Sequence, residues 1–182
     1  MANENSVHQA MLAAIPHLRA FAISLSGSIE RADDLVQVAL LRGLENLDKF
    51  QPGTSMQAWL FTILRNQFHT DYRRRRREVE DPDGAMAQQL AVMPEQGPHL
   101  DFRDLQVALT KLSVEQREAL LLVSAEGVSY EEAAQICGVN IGTIKSRVSR
   151  ARTRLAELLA LDGDDDLGPD RLVRAALFKH VP

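Results

Sequence analysis

A single cysteine, Cys137, in 182 residues excludes an internal disulfide and any cysteine-rich zinc site, and fits a reducing compartment. Taken alone, Cys137 reads as a small buried apolar side chain. No apolar run is long enough to span a bilayer, and the polar start MANENSVHQ lacks the charged and then apolar pattern of a signal peptide. A cytoplasmic protein without a membrane partner is therefore expected. Alternating β-branched residues are missing, which leaves no strand candidate, and no internal repeat is visible. Catalytic signatures are missing as well: there is no P-loop, no His-Glu-x-x-His and no serine or cysteine nucleophile motif, and the five histidines are scattered. No enzyme, metal or cofactor is expected. The run Asp162, Asp164, Asp165, Asp166 lacks the spacing of a calcium loop and reads as a helix stop.

What is present is ordinary for a globular chain, with 45% hydrophobic and 25% charged residues, and the length suits one domain or two small ones. Apolar residues at spacings of three and four run over residues 7–77, broken at Gly27-Ser28 and at residues 51–55. Residues 78–99 shift to Asp-Pro-Asp-Gly, Pro94, Gly97 and Pro98, the composition of a linker with room for a short helix over 86–92. Helical spacing returns over residues 101–161 and gives way to a weakly amphipathic tail. The expected architecture is all-α: a helical domain over 1–77, a linker over 78–100, a second helical domain over 101–161 and a tail over 162–182.

Net charge is −4, the wrong sign for a partner of nucleic acid, but its distribution matters more. Acids gather at Glu78, Glu80, Asp81 and Asp83 and again near the end, whereas bases gather at Arg73 to Arg77 and from Lys145 to Arg154. Two separate basic patches on an acidic chain form an electrostatic footprint for phosphate backbones. A solvated helix face is the plainer explanation of any one charge run.

The second domain has the sharper pattern. Ser113-Val-Glu-Gln116 is a capping box that starts a helix through Ala119, Leu120 and Val123, and Gly127 ends it. Ser129-Tyr-Glu-Glu132 forms a second box, opening a short helix that buries Ala133, Ala134 and Ile136 and stops at Gly138. Asn140 caps a third helix whose Ile141, Ile144, Val148, Ala151, Leu155 and Leu158 share one stripe. A short helix, a glycine turn and a second helix make a helix-turn-helix, whose second helix enters a major groove. Opposite the stripe lie Gly142, Thr143, Lys145, Ser146, Arg147, Ser149, Arg150, Thr153 and Arg154, with no acid before Glu157. Small and hydroxyl positions allow close approach to DNA, and the bases can meet phosphates or guanine edges. In the first domain, Met56, Trp59, Leu60 and Ile63 point to a core, and Thr62, Arg65, Asn66, His69 and Arg73 share the other side.

Ser129-Tyr-Glu-Glu-Ala-Ala through Gly-Val-Asn-Ile-Gly-Thr-Ile-Lys-Ser-Arg-Val-Ser-Arg-Ala-Arg-Thr-Arg154 resembles region 4 of extracytoplasmic-function sigma factors, and Asp33-Asp-Leu-Val-Gln-Val-Ala-Leu-Leu-Arg-Gly-Leu44 resembles region 2.2. Ala58-Trp-Leu-Phe-Thr-Ile-Leu-Arg-Asn66 with Asp71-Tyr-Arg-Arg is similar to regions 2.3 and 2.4. The wording of Leu18-Arg-Ala-Phe-Ala-Ile-Ser-Leu25 and of residues 57–66 resembles the EcfG-type general stress branch. The resemblance implies that Asn140, Gly142, Thr143, Lys145, Ser146, Arg147, Ser149, Arg150 and Arg154 read the −35 promoter element. It likewise implies that Phe50, Arg65, Asn66, His69 and Arg73 to Arg76 (Arg73, Arg74, Arg75, Arg76) serve the −10 element, with a flipped base received by the loop over 48–55. Asp33, Asp34, Gln37 and Leu41 would meet core RNA polymerase, through its β′ clamp, with the β flap meeting region 4 and most leucines of that helix filling the core. An anti-sigma factor would hold the protein inactive; the rival is a sigma-like decoy that captures such an inhibitor without starting transcription. The linker, roughly 23 residues at about 3.3 Å each, can reach on the order of 75 Å, and two turns of duplex separate promoter elements by about 70 Å.

Overall fold

The computed structural model describes residues 2–78 and 100–159, and the side chains of 6–77 and 105–159. The expected helix over 86–92, nearly all of the connection over 78–100 and the tail over 162–182 lie outside the described residues. What is described falls into two helical units, with no strand among the described residues.

In the first unit, helices α1 (Ala2–Ser26), α2 (Ile29–Glu45) and α3 (Met56–Glu78) pack on one another. The first break lies where the pattern puts it. Gly27 takes φ 67°, a conformation cheapest for glycine, and Ser28 caps α2 by accepting from the Arg31 amide at 3.4 Å. The second break combines a 3₁₀ turn at Leu47–Lys49 with Gly53 at φ 90°, after which the Ser55 hydroxyl accepts from the Ala58 amide at 3.1 Å and starts α3. Leu18, Phe21, Leu60, Phe61 and Leu64 are fully buried, and Phe21 meets Phe61 edge to face with centroids 5.0 Å apart.

Two expected faces are corrected. Trp59 and Ile63 are only half-buried, and the core face of α3 is instead Met56, Leu60, Phe61, Leu64 and Phe68. Both stripes have helical spacing, but the second persists a further turn and so buries more apolar surface. On α2 the buried residues are Ala32, Leu35, Val36, Ala39 and Gly43. Leu41 and Leu44 are 59% and 47% exposed, so they do not fill the core. The approach is closest near Gly43, where an added Cβ would come within 2.9 Å of Leu60 Cδ2 and 3.3 Å of Met11 Cε, so this end of α2 has no room for a large side chain on its inner side.

The second unit holds α4 (Leu100–Thr110), α5 (Val114–Leu120), a π turn (Leu121–Ala125), α6 (Tyr130–Cys137) and α7 (Ile141–Leu158). The Ser113 box is complete, with the Gln116 amide on Ser113 Oγ at 3.2 Å and the Ser113 amide on Gln116 Oε1 at 3.3 Å. The helix it starts does not stay α through Val123. It widens after Leu120, the Glu126 amide reaching five residues back to the Leu121 carbonyl at 3.0 Å, and ends at Gly127 with φ 68°. The second box is half formed: Ser129 Oγ accepts from the Glu132 amide at 3.1 Å, but the Glu132 carboxylate takes the serine hydroxyl at 3.2 Å instead of the Ser129 amide. Gly138 closes α6 in the left-handed region. Asn140 occupies the cap position of α7 without a side-chain cap bond; its carbonyl accepts from Thr143 and Ile144 at 2.9 and 3.2 Å. Ile144, Val148, Ala151 and Leu155 are buried, whereas Ile141 is exposed and Leu158 half-buried, because the stripe overhangs the core at both ends.

Candidate nucleic-acid interface

With Ile144, Val148, Ala151 and Leu155 turned inward, a rotation of about 100° per residue puts Gly142, Ser146, Ser149, Arg150 and Thr153 on the crest of α7. Arg147 and Arg154 line one flank, and Lys145 and Arg152 the other. Asn140, Gly142, Lys145, Ser149, Arg150 and Arg154 are exposed, and Thr143, Ser146 and Arg147 are half-buried. The crest is therefore made of small and hydroxyl side chains between two rows of cations. Such a helix can sit deep in a groove while its flanks reach the phosphates on either side. Arg147 has its Nη1 buried without a hydrogen-bond partner. Two cations are engaged already: Arg154 pairs with Glu157 at 2.8 Å, and Arg152 donates from Nη2 to Ser124 Oγ at 3.1 Å. Nothing in the spacing of α7 points to the last of these contacts, which reaches a serine 28 residues earlier.

On α3, Asn66 is exposed, Arg65 and His69 are half-buried, and the His69 ring stands edge-on to Phe68 at 5.7 Å. The arginine run leaves Arg73, Arg74, Arg76 and Arg77 exposed and Arg75 half-buried. Thr70, Arg73, Arg74 and Arg77 line a shallow groove of about 460 Å³, and Arg73 Nε donates to the His69 carbonyl at 3.2 Å. Phe50 packs on Trp59, centroids 5.4 Å apart at 51°. Trp59 and Asn66 are seven residues, two turns, apart, so the aromatic pair stands at the head of the stripe that carries Asn66 and Arg73. Tyr72 is exposed and stacks on Phe68 at 6.1 Å, a contact at the helical spacing of four.

A third surface lies on α2, where Asp34, Gln37, Leu41 and Leu44 are all exposed and succeed each other at helical spacing. Asp33 precedes Gln37 by four residues on the same side of the helix, and its side chain is 44% exposed. Its carboxylate is taken by Arg19 of α1, with Nε to Oδ1 at 2.7 Å and Nη2 to Oδ2 at 3.4 Å. The hydrogen bond to Asp33 raises the Arg19 guanidinium above its usual value. Asp33 thus ties α2 to α1 at the edge of the ridge while its side chain stays part-exposed. Among the described residues no helix is long and apolar enough to cross a membrane, and no group of three acids, histidines or cysteines could hold a metal ion.

Residues 11–78 match the family model for Sigma-70 region 2, and residues 102–155 that for Sigma-70, region 4. The ECF RNA polymerase sigma factor EcfG of Rhodopseudomonas palustris (strain TIE-1) is 60% identical over 173 residues, covering 95% of this chain and 96% of that protein. The chain belongs to the extracytoplasmic-function sigma factors. The sigma factor RpoE of Bartonella quintana, solved in complex with the anti-sigma factor NepR, superposes with a TM-score of 0.78 at 53% identity, covering 85% of this chain and 97% of that one. CnrH, solved with the cytosolic domain of CnrY, gives a TM-score of 0.66 at 26% identity, over 87% of this chain and 90% of that one.

As a sigma factor, the protein binds RNA polymerase, recognises promoters and initiates transcription. Its family consists of transcription regulators and not of enzymes. Region 2 contains the α2 ridge, the Phe50–Trp59 pair and the face of α3; region 4 contains α6 and α7.

Proposed function

We propose that this sigma factor divides promoter recognition between two differently built faces. In region 4, Asn140, Gly142, Thr143, Lys145, Ser146, Arg147, Ser149, Arg150 and Arg154 read the −35 element in the major groove. In region 2, Phe50, Arg65, Asn66, His69 and the run Arg73 to Arg76 take the −10 element as a separated strand. Opening a duplex costs a few kcal/mol per unstacked base, and stacking on an aromatic returns about 1–3 kcal/mol per base. An aromatic pair followed by an amide and then arginines along one stripe provides stacking, an edge contact and phosphate neutralisation in succession. Nucleotide hydrolysis is not required.

Asp33, Asp34, Gln37 and Leu41, with Leu44 beside them, form the docking ridge for the β′ clamp of core polymerase, and region 4 meets the β flap. An exposed helical stripe of two leucines between polar groups suits a partner helix. Residues 78–100 connect the two regions and 162–182 form a tail. The protein works in the cytoplasm, where its polymerase and DNA are, within the general stress response. It is held inactive by a small anti-sigma factor of the kind that NepR is for RpoE.

One observation carries this division: the outward side of α7 holds Lys145, Arg147, Arg150 and Arg154 with no acid before Glu157. A decoy that only captured an anti-sigma factor would have no use for such a row. Run-off transcription with core polymerase tests it, on templates with either promoter element scrambled. Transcripts that need both elements, and that vanish when a NepR-type inhibitor is added, support it. Capture of the inhibitor with no transcript from any template would establish the decoy instead.

A further inference from the structure

Arg152 lies on the recognition helix between Arg150 and Arg154 and carries the charge of a DNA contact, yet it is half-buried. Its Nη2 is directed inward to Ser124 Oγ at 3.1 Å. Ser124 is fully buried and belongs to the π turn that interrupts the helix after Leu120. A π turn carries one residue more than the α repeat, and one extra residue rotates the downstream chain by about 100°. The turn is closed by the Glu126 amide on the Leu121 carbonyl and the Val128 amide on the Leu122 carbonyl, both at 3.0 Å. Ser124 thus sits in a locally widened segment, among the buried Leu121, Leu122 and Ala125. A charged donor on a buried hydroxyl is strongly directional and costly to leave unmatched.

We propose that Arg152 is a positioning residue: through Ser124 it fixes the roll of α7 about its own axis, and so the depth at which the crest of Ser146, Ser149 and Arg150 meets base edges. Arg152 does not itself touch DNA. A helix held only by Ile144, Val148, Ala151 and Leu155 rests on apolar side chains, which resist separation more than small rotations. The hydrogen bond lies on one flank, where it opposes such a rotation. Arg147 on the opposite flank has no matching tether, since its Nη1 is buried without a partner. The inference rests on α7 being the −35 reader.

The test is fluorescence titration of the full-length protein with a −35 duplex and with a scrambled duplex, over a range of salt, for the wild type, Arg152→Met, Ser124→Ala and the double variant. Thermal unfolding supplies the folded fraction by which each titration is corrected. Loss of position should lower the ratio of matched to scrambled affinity about tenfold, the scale of one well-formed base contact, in both single variants. The double variant should be no worse than either, because both changes break one link. The slope of log K against log salt should not change. If Arg152 met a phosphate, that slope would fall by about 0.9 in Arg152→Met but not in Ser124→Ala, and the proposal would be wrong. It would also be wrong if both folded single variants kept the wild-type ratio. A wild-type protein that did not distinguish the two duplexes would instead overturn the assignment of α7 as reader, so the two failures are distinguishable.

Discussion

The two basic faces of this sigma factor carry the same charge and differ in almost everything else. Along α3, the stripe begins with the Phe50–Trp59 pair, continues through exposed Asn66 and ends in exposed Arg73, Arg74, Arg76 and Arg77. Along α7, no aromatic is present, and the crest is glycine, serine, threonine and one arginine. Flat rings accept bases only after these leave the stack, so they serve a strand that is already open. Small side chains bring a helix backbone close to an intact groove. Composition of the face, more than its charge, separates capture of a strand from reading of a duplex.

The largest effect should come from the charge run of region 2. Changing Arg73, Arg74, Arg76 and Arg77 to glutamine should weaken binding to a single-stranded −10 oligonucleotide on the order of a hundredfold at low salt. The salt slope should decrease by about 0.7 for each arginine that meets a phosphate. Affinity for an isolated −35 duplex should be unchanged. Fluorescence anisotropy at several salt concentrations measures both, and an equal loss on the two DNAs would show that the faces are not specialised.

The next effect crosses the two faces. Arg150→Ala should cost about 1–3 kcal/mol on a −35 duplex, read by titration, while leaving the extent of opening unchanged once the complex is saturated. Asn66→Ala should do the reverse, reducing permanganate reactivity at the −10 element with closed-complex affinity preserved. A footprint unchanged in Asn66→Ala would remove that residue from the opened strand.

Much of this was legible in local sequence. Caps and glycines act within four residues, so the break at Gly27, the box at Ser113 and the stops at Gly127 and Gly138 could be placed from the chain alone, and structure agrees at each, whereas the box at Ser129 is half formed and Asn140 makes no side-chain cap bond. Face assignments on α2 and α3 were harder. An amphipathic stripe shows which residues share a side, but which of two apolar stripes becomes core depends on the partner helix. On α2 the answer came from the close approach at Gly43, a long-range packing fact, and Leu41 and Leu44 were therefore left outside. Trp59 moved towards the surface for the same kind of reason, because Phe61, Leu64 and Phe68 claimed the interior. Ion pairs between helices, such as Arg19 with Asp33, and the contact of Arg152 with Ser124 have no local signature at all.

A smaller effect tests whether the scaffold behind the α2 ridge is as tight as Gly43 implies. Alanine in a helix interior is ordinarily favoured over glycine by about 1 kcal/mol. Here its methyl would lie 2.9 Å from Leu60, which is itself fully buried, and such overpacking costs about 1–3 kcal/mol. Gly43→Ala should therefore destabilise the protein by about 1 kcal/mol net, seen as a lower midpoint in urea. A stabilised variant would mean that Leu60 and Met11 shift at no cost.

The smallest effect concerns the end of α7. Glu157 holds Arg154 in an exposed pair at 2.8 Å, and pairs of this kind contribute only about 0.3–0.5 kcal/mol. The same carboxylate opposes an approaching phosphate, since its charge cancels that of the arginine. Glu157→Gln removes both the pairing and the cancellation, so affinity for a −35 duplex should rise about twofold at low salt. That gain should fade as added salt screens exposed charges within about 10 Å, whereas the effect of Arg150→Ala, if it breaks a base contact, should persist. The same salt series on the two variants thus separates, within one helix, an arginine that reads a base from one that neutralises the backbone.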